Sequence, residues 1–238
     1  MAHKKGRLRL SSYLGDRLHK ALKLCLYEQR THRQGSPYDW VHVQLDNHFG
    51  ALRKMIGNSN KPVTLKSECG QQYWSEDDVR HWVIGCLKSF YSFVAKEQIT
   101  WYREDWSLEM THLNRDGSRQ AHLGTPDFPA YGNKRNRWFV LDFKNAASSD
   151  RYIDTDSHDD LYNSDKALGY VFGVAQKLRR EEKRQITFPV IYGYMVFIRE
   201  KVAKGKKAKL KLITYKAKQN HLSRWLNERL KQPRKPSD

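Results

Sequence analysis

Apolar residues recur along this chain in two periods, and the switch between them divides it into helices and strands. Leu14, Leu18, Ala21, Leu22, Cys25 and Leu26 follow helical spacing from Ser11 onward. After the breaker Gly35-Ser36-Pro37, a second helix is predicted with Val41, Leu45, Phe49, Leu52 and Ile56 on one side, closed by Gly57-Asn58-Ser59-Asn60-Lys61-Pro62. The strongest helical pattern opens at Ser75, a good N-cap, with Glu76, Asp77 and Asp78 placed where acids suit the helix dipole. Asp78 falls three residues after the cap, in the capping-box position. Val79, Trp82, Val83, Cys86, Leu87, Phe90, Tyr91 and Val94 then supply its apolar face. A later helix from Ser164 to about Arg180 uses Ala167, Leu168, Val171, Val174, Ala175 and Leu178, and a short amphipathic one runs from His221 to Leu230.

Between the third helix and the Ser164 helix the pattern becomes extended. Ile99 to Leu113 reads as one strand, Asn114-Arg115-Asp116-Gly117 as a turn, and the chain returns from Ser118 through Leu123. With Trp138 to Lys144 these segments predict a three-strand meander between Ile99 and Asn145. Pro189 to Ile198 is almost continuously apolar, as expected of a strand buried on both faces. A basic loop, Ala203-Lys204-Gly205-Lys206-Lys207, separates it from a strand at Leu210 to Tyr215. The expected class is α/β. Residues 1–70 are expected to form a helical extension serving recognition or dimerisation, and 71–238 the core with a basic C-terminal hairpin and helix.

One stretch carries chemistry. Gly124-Thr125-Pro126-Asp127-Phe128 and Trp138 to Lys144 read as two extended segments joined by Gly132-Asn133-Lys134-Arg135-Asn136-Arg137. Strand alternation sends Phe139, Leu141 and Phe143 to one face and Trp138, Val140, Asp142 and Lys144 to the other. A hairpin tip between Lys134 and Arg135 sets Asp127 directly opposite Asp142, with Lys144 on the diagonal. Opposed like charges destabilise a sheet. They are tolerated with a divalent cation between them, since Mg²⁺ takes hard oxygen ligands from one or two carboxylates plus substrate phosphates.

Charge identifies the partner class. The 238 residues hold 44 Lys plus Arg against 26 Asp plus Glu, a net +18. Such an excess points to a polyanion, nucleic acid first, ahead of solubility or an anionic membrane surface. No apolar run is long enough to span a bilayer and no signal peptide is evident, so a cytoplasmic, nucleic-acid-associated location is expected. Cys25, Cys69 and Cys86 are three and scattered, which argues against a disulfide framework or a cysteine zinc site. The thirteen Tyr and seven Trp mostly fill a core, with some able to stack on bases.

Pro126-Asp127 followed by Asp142-Phe143-Lys144 resembles the active-site motif of the PD-(D/E)XK nuclease superfamily. The order of elements resembles the core of that superfamily too: helix, three-strand meander, helix, strand. The resemblance implies a restriction-endonuclease-like core and Mg²⁺-dependent hydrolysis of phosphodiester bonds, with Mn²⁺ able to substitute, leaving a 5′-phosphate. It implies Asp127, Asp142 and the Phe143 carbonyl as metal ligands and Lys144 as the residue that orients water or steadies charge. Glu76 on the first core helix is the candidate to complete the shell, with Glu28 as runner-up. Lys134, Arg135 and Arg137, and Lys204, Lys206 and Lys207, are candidate phosphate contacts. Double-stranded DNA is the expected substrate and a restriction or mobile-element endonuclease the expected type, ahead of a repair nuclease. Cutting both strands of a symmetric site would call for a homodimer.

Plainer interpretations stand beside these. His42 and His48 flank Asp46 as helix-surface side chains rather than a metal cluster. Asp150, Asp154, Asp156, Asp159 and Asp160 make a solvated acidic loop. Lys166 and Tyr170, one turn apart, either face the cleft or, as favoured, are a surface lysine and a core tyrosine. A non-catalytic nucleic-acid-binding protein and a cap-snatching-like RNA nuclease are the alternatives in function.

Overall fold

A computed structural model describes residues 10–31, 34–55, 63–66, 73–104, 106–109, 122–147 and 165–231. The helices are α1 (Leu10–Arg30), α2 (Pro37–Met55), α3 (Glu76–Glu97), α4 (Asp165–Glu181) and α5 (Gln219–Lys231). The strands are β1 (Thr64–Lys66), β2 (Tyr73–Ser75), β3 (Ile99–Tyr102), β4 (Leu108–Glu109), β5 (His122–Gly124), β6 (Phe128–Gly132), β7 (Arg137–Ala146), β8 (Val190–Ile198) and β9 (Leu210–Ala217). The class is α/β, with a mixed five-stranded sheet in the order β3-β6-β7-β8-β9 and two small sheets, β1-β2 and β4-β5. No helix among the described residues is long and apolar enough to cross a membrane.

The chain divides into two compact units. One takes the described residues of 1–93, 143–152 and 196–211, and the other those of 94–142, 153–195 and 212–238. Residue 70 is not a boundary between them.

In the first unit, Leu14, Leu18, Ala21, Leu22, Cys25 and Leu26 of α1 are fully buried, as are Val41, Leu45 and Phe49 of α2. Ile56, assigned to the same face as the α2 residues, lies outside the described residues. The His19 ring rests 6.1 Å from Phe143, and Phe143 meets Phe90 edge-on at 5.8 Å. The two N-terminal helices therefore share a core with α3 and the end of β7 rather than forming an appendage. The α3 cap is as expected. The Asp78 N–H donates to Ser75 Oγ at 3.1 Å, and Asp78 Oδ2 accepts from the Ser75 N–H at 2.8 Å. Further along α3, Gly85 lets the chain after β8 settle on the helix, because a Cβ there would meet the Ala208 nitrogen at 3.0 Å. The Ala208 N–H donates to the Gly85 carbonyl, and the Ser89 hydroxyl donates to the Ala208 carbonyl.

In the second unit, α4 lays Leu168, Val171, Val174 and Leu178 against Trp138, Val140, Val190 and Tyr192, with Leu222 and Trp225 of α5 in the same core. The meander differs from expectation. The stretch read as one strand from Ile99 to Leu113 breaks into β3 and β4, and β3 pairs antiparallel with β6, not with the segment that follows it. The cause is Pro129. Its carbonyl accepts from the Arg103 N–H at 3.0 Å, but a proline has no N–H to return, so the β3–β6 ladder stops after Tyr102. The chain then leaves the sheet, makes the separate β4–β5 pair and re-enters at β6. The Asn114 to Gly117 turn lies outside the described residues.

Candidate functional site

The β6–β7 hairpin has the expected register. Phe128 faces Leu141, Pro129 faces Val140, and the pairing runs in step to Gly132 opposite Arg137. The tip is a short 3-10 turn, Asn133–Arg135, closed by Asn136 in the left-handed conformation at φ 47°. Asn tolerates that conformation better than most residues. Asp127 forms a bend one residue before Phe128, where the ladder ends with Phe128 opposite Leu141.

Phe139, Leu141 and Phe143 are buried on one face of β7, and Trp138 and Val140 are buried on the other. Asp142 follows on that second face with only 6% exposure. A carboxylate so placed needs a partner. Lys166, in the first turn of α4, supplies one, with its ammonium 3.3 Å from Asp142 Oδ2. Its side chain remains 58% exposed while its ammonium reaches the acid. Burial pulls the Lys166 pKa down, but Asp142 and Tyr170 push it above the ordinary lysine value. Lys166 is thus a surface lysine by exposure and part of the acid site by contact.

Tyr170, one turn further along α4, is 7% exposed, with the Lys166 ammonium 5.2 Å from its ring centre. Burial raises its pKa, Asp142 adds to the rise, Lys166 opposes it and Asp127 adds a smaller push. Both carboxylates therefore act on one phenol. Gly124 makes the approach possible: it sits at φ +104°, and a Cβ there would meet the Tyr170 hydroxyl at 2.9 Å. Asp142, Lys166 and Tyr170 line a small recess with Val140, Ala167, Gly193 and Tyr194.

Lys144 follows Asp142 by two residues on β7 and is half-buried. Glu76, in the first unit, is occupied differently. Its Oε1 accepts from the Val63 N–H at 2.8 Å, and its Oε2 pairs with Arg53 at 3.2 Å. Glu28 lies near the end of α1, half-buried, where its charge adds to the burial that pushes the Cys25 thiol up to about 12. Lys134 and Arg135 are exposed on the 3-10 turn, and Arg137 is half-buried at the start of β7. In the first unit, Lys204, Lys206 and Lys207 are exposed on the loop between β8 and β9. His42 and Asp46 both bond Arg80, the acid at 2.6 Å, which ties α2 to α3 as a surface contact. The acidic residues from 150 to 160 lie outside the described residues.

Among the described residues no group of three or more His, Cys, Asp or Glu is arranged to hold a metal ion. The donor set at Asp127 and Asp142 suits Mg²⁺ all the same: that ion takes one or two carboxylates and keeps water or phosphate oxygens for the rest. Lysine holding the buried carboxylate is also what a cation site looks like when an ammonium provides the positive charge. Sequence reasoning missed the Lys166–Asp142 contact and the Arg53–Glu76 pair. The first had a visible signal in the one-turn spacing of Lys166 and Tyr170, and the second had none. No family model matches the chain, and no curated protein matches it.

Proposed function

We propose that this protein is a Mg²⁺-dependent nuclease that hydrolyses DNA phosphodiester bonds, with a restriction-endonuclease-like core and the PD-(D/E)XK motif at Asp127, Asp142 and Lys144. The observation that supports this is a buried Asp142 at the end of the β6–β7 ladder, met by the Lys166 ammonium and acting with Asp127 on the one Tyr170 phenol. The order α3, then β3, β6 and β7 as one antiparallel meander, then α4 and β8, supports the same core.

Asp127 and Asp142, with the Phe143 carbonyl, would hold the metal. A Mg²⁺ ion there supplies Lewis-acid polarisation of the phosphate and a bound water of lowered pKa. Lys166, whose side chain is 58% exposed, would be free to turn from Asp142 toward the substrate phosphates. Tyr170 fixes the floor of the recess and keeps bulk water from one side of Asp142. Lys144 steadies the charge that grows on the phosphate oxygens. Lys134, Arg135 and Arg137 in one unit, and Lys204, Lys206 and Lys207 in the other, offer sequence-independent phosphate contacts. An endonuclease of restriction or mobile-element type is the activity proposed, acting on double-stranded DNA as a homodimer where a symmetric site is cut.

The test is plasmid DNA incubated with the protein in Mg²⁺ or in EDTA. Discrete fragments in Mg²⁺ alone are expected. Asp127→Ala, Asp142→Ala and Lys144→Ala should each lose cutting by about a hundred- to a thousandfold or more while still shifting DNA on a gel, in line with losses seen when charge-stabilising groups are removed. One specific observation favours a second interpretation: the Asp142–Lys166 pair is also what a purely structural ion pair would look like. A non-catalytic nucleic-acid-binding protein would shift DNA equally in both buffers and cut in neither.

A further inference from the structure

Away from the acids, the second unit has an open groove of about 450 Å³ at the rim of its core. One wall is an aromatic rung. Trp101 of β3 faces Tyr131 of β6, and Tyr131 faces Trp138 of β7, so three rings stand at matched positions across three adjacent strands. The Tyr131 and Trp138 rings are 5.0 Å apart, and those of Trp101 and Trp138 are 5.2 Å apart. Trp138 is buried, whereas Trp101 and Tyr131 keep part of their surface open to the groove. The other wall is the segment after α4, where Arg184, Gln185 and Thr187 are exposed.

A core rim left to itself closes with apolar side chains. Here two large aromatic surfaces face polar groups that cannot close over them. The Trp101 indole is also fixed in orientation. Its N–H donates to Glu182 Oε2 at 2.9 Å, and the Arg103 guanidinium lies 4.9 Å from its ring centre while pairing with the same Glu182. Arg184 is a cation in the groove's own lining, Lys134 and Arg135 follow its Asn133 on the hairpin turn, and Arg179, Arg180 and Lys183 shortly precede Arg184 in the chain, all exposed. Part-open rings beside positive charge are the combination that stacks unpaired bases while tracking their phosphates. A double helix keeps its base faces stacked inside and has none to offer. A groove of a few hundred cubic ångströms suits one or two nucleotides.

We propose that this groove binds single-stranded DNA, taking unpaired bases against Trp101 and Tyr131 and their phosphates against the flanking basic residues. Trp138 and Asp142 lie four residues apart on the same face of β7, about 13 Å by strand rise. On the nuclease proposal the groove therefore grips a strand frayed beside the cut. Base binding itself does not depend on cutting.

The test is fluorescence polarisation in EDTA, so that no cleavage intervenes, with a labelled oligothymidine and a labelled duplex of equal length, while tryptophan emission is followed. The oligothymidine should bind and quench tryptophan emission. Trp101→Ala should weaken single-strand binding by about tenfold, as expected for loss of one base–aromatic stack, and change duplex binding by less than about twofold. Because Trp101 also packs inside the unit, Thr187→Glu provides a second variant. Thr187 is exposed on the polar wall, and the added negative charge should repel the strand and weaken oligothymidine binding several-fold with no change in melting temperature. Equal losses for single strand and duplex in both variants would overturn the proposal, as would wild-type oligothymidine binding by Thr187→Glu. Displacement by oligouridine as readily as by oligothymidine would reassign the groove to RNA.

Discussion

Glu76 and Asp142 are both nearly buried, and their surroundings differ in kind. Glu76 opens α3 with its side chain 14% exposed and has a backbone N–H on one oxygen and Arg53 on the other. Asp142 sits mid-strand with its side chain 8% exposed and is met by the ammonium of Lys166, whose side chain is 58% exposed. The backbone N–H cannot leave Glu76, and a planar guanidinium is a persistent partner for a carboxylate. A lysine ammonium on four freely turning methylenes can be replaced by another cation without disturbing the fold. One acid is built in, and the other is held in a form that can be exchanged. On the nuclease proposal, what separates the two acids is not burial but whether the partner can be replaced.

The sharpest way to break this contrast is to neutralise each acid in turn. Asp142→Asn should lower Mg²⁺-dependent cutting by about a hundred- to a thousandfold or more with only a small change in thermal stability. Glu76→Ala should do the reverse. It leaves the Val63 N–H and the Arg53 guanidinium without their acceptor, at a cost of about 2 kcal/mol. In a protein of this size that lowers the melting temperature by roughly 4–8 °C, with most cutting retained below that temperature. Loss of cutting in Glu76→Ala at an unchanged melting temperature would return Glu76 to the metal shell, the role the motif resemblance implies.

Lys166 sharpens the comparison from the other side. Lys166→Met keeps much of the stem and removes the competing charge. A half-exposed ion pair is worth about 1 kcal/mol or less, so the fold should tolerate its loss. The Mg²⁺ concentration for half-maximal cutting should fall about three- to fivefold, as expected when a competitor of that strength is removed. A rise in that midpoint would mean that Lys166 helps to hold the metal-bound state. Complete loss of cutting at saturating Mg²⁺ would make it catalytic in its own right.

How far each feature was legible follows from the distance over which its cause acts. The hairpin register could be read because strand alternation and the turn at Asn133 to Asn136 are local. The α3 boundary could be read because Ser75 and Asp78 cap it within three residues. The split of the Ile99 to Leu113 segment could not, because the residue that ends β3, Pro129, enters the sheet only after the chain has gone out and returned. Nor could the placement of α1, since its His19 and the core ring of Phe143 belong to opposite halves of the chain. Glu76 was correctly placed on a helix start, but its partner Arg53 comes from another helix, and nothing near either residue announces the pair. Lys166 reads as a surface lysine and is 58% exposed; its ammonium finds Asp142 only once α4 lies along β7.

The smallest expected effect tests the fixed end of the contrast. Glu76 is held because α3 begins where it does, and α3 begins there because Ser75 and Asp78 bond each other's backbone N–H groups. Burial by itself would raise the Asp78 pKa, but Lys201, 2.9 Å away, and the Ser75 N–H and hydroxyl bring it below the ordinary value. A carboxyl lowered on folding adds stability at pH above its unfolded value, near 4. That contribution disappears as pH falls through the folded value. Asp78→Asn should therefore cost about 1 kcal/mol, the usual worth of a helix cap, or about 2–4 °C in melting temperature at neutral pH. The gap from wild type should stay level between about pH 5 and pH 7, begin to close below about pH 4, and vanish once pH falls past the lowered folded value, where the wild-type carboxyl is itself protonated. A gap that persists unchanged into acid would mean that the cap works through shape alone. The start of α3, and with it the fixed position of Glu76, would then owe nothing to the Asp78 charge.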